Sequence, residues 1–301
     1  MVPRALTRHN EVVPELPDLD ILADAFHATL AGRPVTGSRV PQTLVLRGTS
    51  AELDALQDQR LRRVARRGKF LVFTFERDQV TMNPMLTGRL GLATPGVRPL
   101  VSTALVLGFG SRPGPPLDAA TWTQGQPWRP SDAADVELRY RDPTRMGKIY
   151  LLPQGVTRRV AGWEEQGPDV DDPVLDLTEW RRRIGHHSGE LKNLLKNQSF
   201  VAGIGNGYSD EILWAARLAP FRKRSTLADE EVARLWEAAR TVPIWAISEL
   251  RLRVPPKFEK EVRDFLNVHR KGGRPCPRCG ASITEIAPGG FVTSWCRACQ
   301  A

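Results

Sequence analysis

The chain has 301 residues, 41% hydrophobic and 26% charged, enough for two or three domains with buried cores. Its 43 Lys and Arg against 34 Asp and Glu give a formal charge of +9, which favours a polyanionic partner without separating nucleic acid from an acidic surface. No run approaches the roughly 18 apolar residues of a membrane-spanning helix, and the start MVPRALTRHNEVVPELP lacks the apolar centre of a signal peptide. With no cysteine outside the last 26 residues to form disulfides, the expectation is a cytoplasmic protein.

In chain order, MVPRALTRHNEV has neither helical nor strand periodicity. PDLDILADAFHATLAG then sets Leu19, Leu22, Phe26 and Leu30 on one helical face, with Asp18 as a cap and Gly32 as a stop. VTGSRV, TLVLRG, KFLVFTFE, RLGLAT, ALVLGF, DVELRY and KIYLL read as strands, and one helix followed by many strands predicts a β-sandwich or flattened barrel. Residues 111–134, rich in proline and polar side chains, read as a long loop between two strands, and 166–174 as a linker. LTEWRRRIG, GELKNLLKN, GYSDEILWAARL and ADEEVARLWEAARTVPIWAISELR follow as helices, the last with start signals at 226–230. The predicted class is therefore α+β.

The tail, CPRCGASITEIAPGGFVTSWCRAC, has two C-x2-C pairs separated by sixteen residues. Each pair on a tight turn aims two thiolates at one ion, so Cys276, Cys279, Cys296 and Cys299 can complete a tetrahedral structural zinc site; the plainer alternative is four buried or redox-active cysteines. APGG supplies a hairpin turn between ITEI and FVTSW. A tail this short has no core of its own and is expected to need its metal to fold. Residues 251–275 carry eight Lys or Arg against three acids, either a nucleic-acid surface or a solvated basic face. If about five of these cations met phosphates, log affinity would fall with log salt at a slope of about −4 to −5.

GIGNG, at 203–207, cannot continue a helix comfortably, and a new helix is expected from Tyr208 or Ser209. Backbone N–H groups of such a turn, with Asn206, suit a phosphate. The turn does not follow a strand, which argues against a dinucleotide fold.

Together, PELPDLD at 14–20, RRGKF at 66–70, MLTGRLGL at 85–92, YRDPTRMGK at 140–148, residues 191–220 and the cysteine hairpin resemble the formamidopyrimidine-DNA glycosylase and endonuclease VIII family, in its order and over nearly the whole chain after residue 13. The resemblance implies an N-terminal β-sandwich with a leading helix (14–165), a linker (166–176), a helix–two-turn–helix domain (177–268) and a zinc finger (269–301). It also implies a nucleoid-associated, monomeric DNA glycosylase with abasic-site lyase activity on double-stranded DNA holding a damaged base or abasic site. In such enzymes an amine attacks the sugar C1′ of an extruded nucleotide, expels the base and forms a Schiff base, and elimination breaks the strand. The alternative on the same scaffold is a non-catalytic protein that binds bent or damaged DNA.

The resemblance places the nucleophile at Pro14, its acid at Glu15, a catalytic-site lysine at Lys69, a lysine near the DNA at Lys192 and a phosphate-binding asparagine at Asn206. A terminal amine suits the role because roughly one in ten is neutral at pH 7, against a few in ten thousand for lysine. As numbered, the Pro14 nitrogen is an amide with no lone pair to donate. Residues 1–13 are then a leader lost through a start at Val13 or by proteolysis, or the activity is gone or shifted to a lysine such as Lys69. The family's gap-filling methionine, arginine and phenylalanine correspond to Leu86, Thr144 and Met146, with Arg145 as a nearby cation. Its hairpin arginine corresponds to Phe291, which cannot neutralise a phosphate, and Asn83 stands where a histidine precedes the LTG turn. An altered substrate range, or single β-elimination, would agree with these departures.

Overall fold

A computed structural model describes residues 13–287 and 290–300. Most of the leader lies outside that range. In chain order the elements are α1 (Leu16–Leu30), β1 (Val35–Arg39), β2 (Leu46–Arg47), α2 (Ser50–Asp54), β3 (Leu61–Arg67), β4 (Phe70–Phe75), β5 (Gln79–Asn83), β6 (Arg89–Ala93), β7 (Thr103–Phe109), β8 (Val136–Arg141) and β9 (Lys148–Leu152). They continue with α3 (Leu177–Gly185), α4 (Leu191–Lys196), α5 (Asn206–Ala216), α6 (Asp229–Arg253), β10 (Thr284–Ile286) and β11 (Thr293–Trp295).

Nine of these strands form two sheets. One is antiparallel in the order β1-β7-β8-β6; the other runs β2-β9-β5-β4-β3, antiparallel except for the β2–β9 pair. Alternate residues of both sheets face inward, as the strand period requires. Leu71, Phe73, Val80 and Met82 meet Leu105, Leu107, Phe109 and Leu138 in one core, so the sandwich reading is the right one. The strands β3 and β5 were not expected. LRRVARR carries too many arginines to look like a strand, but Leu61 and Val64 are the residues that enter the core. TLVLRG is mostly a 3-10 turn with a two-residue strand.

Helix α1 is buried well beyond its predicted stripe, because it lies between β3 and α6. Its cap also differs from expectation. Glu15 is the N-cap, and Asp18 sits three residues on, where its Oδ2 accepts the Glu15 N–H at 2.8 Å. Gly32 follows the helix with φ +84°, as a stop signal should. The 111–134 segment is a loop with one 3-10 turn, but it is pinned. Arg33, fully buried, donates to the carbonyls of Thr29, Gly110, Ser131 and Ala134, and Trp128 packs edge-on to Phe258 at 5.2 Å.

A second core gathers Trp180, Leu191, Leu195, Ile212, Leu235 and Ala239 from α3–α6 with Phe200 from the turn between α4 and α5. Helix α6 runs unbroken through Pro243, and its end joins the sandwich core through Leu250. The two bodies are also tied by Arg66 of β3, whose guanidinium meets Asp20 of α1 and Asp169 and Asp171 of the connecting segment, at 3.3, 2.6 and 2.9 Å. The β10–β11 hairpin docks on α5 over a small core of Val268, Cys276, Ile283 and Cys296.

Candidate functional site

GIGNG brings the two bodies together. The α5 helix starts at Asn206, two or three residues earlier than expected, so the N–H groups of Gly205, Gly207 and Tyr208 all point out of its first turn. They do not stand open to a phosphate. The Glu15 carboxylate occupies them, accepting from Gly205 at 2.5 Å, Gly207 at 2.8 Å and Tyr208 at 3.3 Å. A buried carboxylate at a helix N-terminus is favoured by those donors and by the helix dipole. Glycine is needed here for space: a Cβ on Gly205 would lie 2.5 Å from the Glu15 carboxyl carbon, and one on Gly203, whose φ is +95°, would lie 2.8 Å from Leu16. The Leu16 N–H donates to the Gly203 carbonyl at 3.0 Å and completes the joint.

Beside this joint opens a cavity of about 400 Å3, whose wall includes Val13, Glu15, Lys69, Leu86, Lys196, Asn206 and Phe291. That is within the ~300–1,000 Å3 range of ligand pockets. Lys69, at the β3–β4 turn, is half-buried. Burial is the largest influence on its ammonium and lowers its pKa; Glu15 opposes this and Lys196 adds to it. Pro14 itself is buried and faces a small neighbouring pocket with Asp18, Arg89 and Phe258, so Val13 and Glu15 on either side of it reach the larger cavity.

The structure brings together most of the predicted residues and alters the setting of two. Lys192 does not reach open solvent. Its ammonium donates to Asp210 at 2.6 Å and to the Val292 carbonyl at 2.8 Å, and burial pulls its pKa below the usual lysine range. Asn206 donates its side-chain amide to the same Val292 carbonyl at 2.8 Å. Both therefore hold the hairpin loop in this state. Thr144, Arg145 and Met146 are exposed in the β8–β9 turn, with Arg145 at φ +58°. That turn is bound to the β5–β6 turn, which carries Leu86: the Thr87 and Thr144 hydroxyls lie 2.5 Å apart, and both approach the buried Asp142. The proposed gap-filling positions thus share one edge of the sandwich. Asn83 borders a second cavity, of about 310 Å3, that also touches Lys69.

Sequence reading missed the polar network that docks the hairpin. Asp210 accepts from Lys192, from His269 Nδ1 at 2.8 Å and from the Ser294 N–H at 3.0 Å. Glu211 accepts the N–H groups of Asn267, Val268 and His269, although burial raises its pKa. Two adjacent acids inside the apolar stretch YSDEILW were the available signal, since a buried acid demands donors. The 251–275 stretch is also less free than its charge suggested. Arg251 pairs with Asp24, Arg253 with Glu249 and Asp264, and Arg263 with Asp18, leaving fewer cations for phosphates.

The four cysteine sulfurs lie within 4.8 Å of one another, with Cys276–Cys299 at 4.0 Å and Cys279–Cys296 at 3.5 Å. Tetrahedral thiolates with ~2.3 Å bonds stand about 3.8 Å apart, so the set fits a metal ion. Burial opposes ionisation of Cys276, but the Trp214 indole N–H and the backbone N–H groups of Arg278 and Cys279 outweigh it and bring the thiol down to about 6.

Comparison with known proteins agrees with this layout. Residues 13–149 match the formamidopyrimidine-DNA glycosylase N-terminal domain, and residues 166–250 match the formamidopyrimidine-DNA glycosylase H2TH domain. A formamidopyrimidine-DNA glycosylase of Thermomicrobium roseum is 33% identical over 303 residues, covering 96% of this chain and 99% of its own length. One from Pelotomaculum thermopropionicum is 27% identical over 298 residues, with coverage of 96% and 99%. Among solved structures, Lactococcus lactis Fpg in complex with abasic-site DNA has the same fold, with TM-score 0.79 at 22% identity, over 95% of this chain and 99% of that one. No helix among the described residues is long and apolar enough to cross a membrane.

Proposed function

The chain belongs to the formamidopyrimidine-DNA glycosylase family, and from that premise we propose that it is a base-excision repair DNA glycosylase with abasic-site lyase activity on double-stranded DNA. The observation that carries this reading is the joint itself. Glu15 is clamped by the glycine turn, and the same cavity is lined by Lys69 and by the hairpin loop. A cavity between two bodies, with a carboxylate and a lysine of lowered pKa at its wall, suits one extruded sugar and base.

The attacking group in this reading is the Pro14 nitrogen, once it is the first atom of the chain. Its lone pair attacks C1′ as the bond from C1′ to the base breaks, and the base departs with the bonding pair and takes a proton from solvent. The nitrogen then gives up its proton, and cleavage of the C1′–O4′ bond, with that proton passed to O4′, leaves the ring-opened iminium. Glu15, the next residue, is the carboxyl group that carries that proton to the opening sugar oxygen in this reading. Lys69 offers an ammonium to the phosphate backbone, and its lowered pKa also makes it the second candidate amine. The four cysteines hold the hairpin, and zinc is the ion their tetrahedral all-sulfur set suits. All four positions are filled by protein, so that ion is structural. Damaged DNA lies across the cleft, with Asn206 turned from Val292 to a phosphate and Arg145 at the opposite, β-turn edge; Lys192 supports the same wall from behind.

The test is reductive trapping. Protein mixed with abasic-site duplex and borohydride is expected to yield a covalent adduct that mass spectrometry maps to Pro14, on a chain beginning there. An adduct at Lys69 would move the role to that amine. Binding without any adduct would leave a damaged-DNA-binding protein and overturn the enzyme.

A further inference from the structure

Lys196, the last residue of α4, lies at the cavity wall with its Nζ 5.1 Å from the centroid of the Phe291 ring. Among the described residues it makes no ion pair. The charges it feels include two other lysines, for it lowers the pKa of both Lys69 and Lys192. Lys192 is answered by Asp210, and Glu15 is taken up by the glycine turn. What remains at the rim is a cation resting on a ring face, with Lys69 and Arg270 on the same wall, a setting that suits an anion. Phe291 is 63% exposed at the hairpin tip, so its ring is not there as core. The next residue fixes it in place: the Val292 carbonyl is held by both Lys192 and Asn206.

We propose that Lys196 is a phosphate-binding residue of this site, gripping a DNA phosphodiester beside the extruded nucleotide, and that the Phe291 ring positions its ammonium for that contact. The hairpin thus contributes a platform rather than a charge, and the charge comes from α4. The ring keeps the lysine at the cavity mouth before DNA arrives. On binding, the ammonium moves from the ring face to the phosphate. This inference rests on the DNA-repair reading above and refines it at one contact.

The experiment is a salt titration of affinity on the full chain, with a duplex carrying a tetrahydrofuran abasic analogue. Each phosphate contact contributes about 0.9 to the slope of log affinity against log salt, so Lys196→Met is expected to flatten the slope by about that amount. Between about 50 and 200 mM salt, the wild-type advantage over the variant should shrink about 3.5-fold, and Lys196→Arg should keep the wild-type slope. Phe291→Leu, which removes the ring and no charge, should weaken binding with the slope unchanged, and Phe291→Tyr should restore affinity. Metal content and melting temperature serve as folding controls, with Lys196→Gln as the second neutral variant. A wild-type slope in folded Lys196→Met or Lys196→Gln overturns the proposal while leaving the repair reading intact. Wild-type affinity in Phe291→Leu removes the ring's part. If wild-type protein fails to bind the duplex at all, the repair reading fails as well, so the two failures are distinguishable.

Discussion

Asp210 holds the hairpin to the helical body, and removing it should cost much of the protein's stability there. The residue is 1% exposed, and its partners Lys192 and His269 are 4% and 2% exposed, so water cannot replace the lost acceptor. In Asp210→Ala the Lys192 ammonium keeps only the Val292 carbonyl, while His269 Nδ1 and the Ser294 N–H lose the carboxylate. Breaking one side of a buried ion pair costs about 3–5 kcal/mol. That is a large part of the ~5–15 kcal/mol that stabilises a folded domain. With a urea slope of about 3 kcal/mol per M, the midpoint should fall by about 1–1.7 M. Tryptophan fluorescence is the assay, because Trp214 touches Cys276 and Trp295 lies in the hairpin. Asp210→Ala with Lys192→Met removes both charges and should recover at least half of the loss, since an apolar replacement of a whole pair is often near neutral. A single variant within about 0.5 kcal/mol of wild type, as is usual for an exposed site, would refute the idea that this pair docks the hairpin.

Two further outcomes test the joint and the metal. Gly205→Ala should push the Glu15 carboxylate off the α5 amides, so single-turnover adduct formation should slow at least tenfold with DNA affinity changed far less; equal slowing of both would point to general damage instead. Removing the metal with a strong chelator should release about one zinc per chain and abolish DNA binding, because the loop that carries Phe291 and Val292 is framed by the Cys279 and Cys296 turns; binding that survives metal loss would refute a structural part for the ion.

The features legible in the sequence were those written in local spacing. The paired C-x2-C motifs needed no tertiary information to suggest a four-sulfur site, because each pair closes on its own turn. The α1 stripe, the interrupting GIGNG turn and the alternating strands followed from the helical and strand periods, and β3 escaped because its arginines hide a two-residue core contribution. Glu15 and Lys69 were chosen by motif resemblance, whereas their meeting at one cavity depends on a contact between residues nearly two hundred positions apart.

What the sequence determined alone was the set of groups: a carboxylate after proline, a lysine at the start of an expected strand, four thiols, and glycines able to start a helix without side chains in the way. Only the tertiary structure decided which of them would be occupied. The α5 amides were taken by Glu15 rather than left for a phosphate, and Lys192 was turned inward by Asp210, leaving Lys196 at the rim. The reason is that a buried charge must find its partner within the fold, and no local pattern states which partner folding will bring within hydrogen-bonding distance.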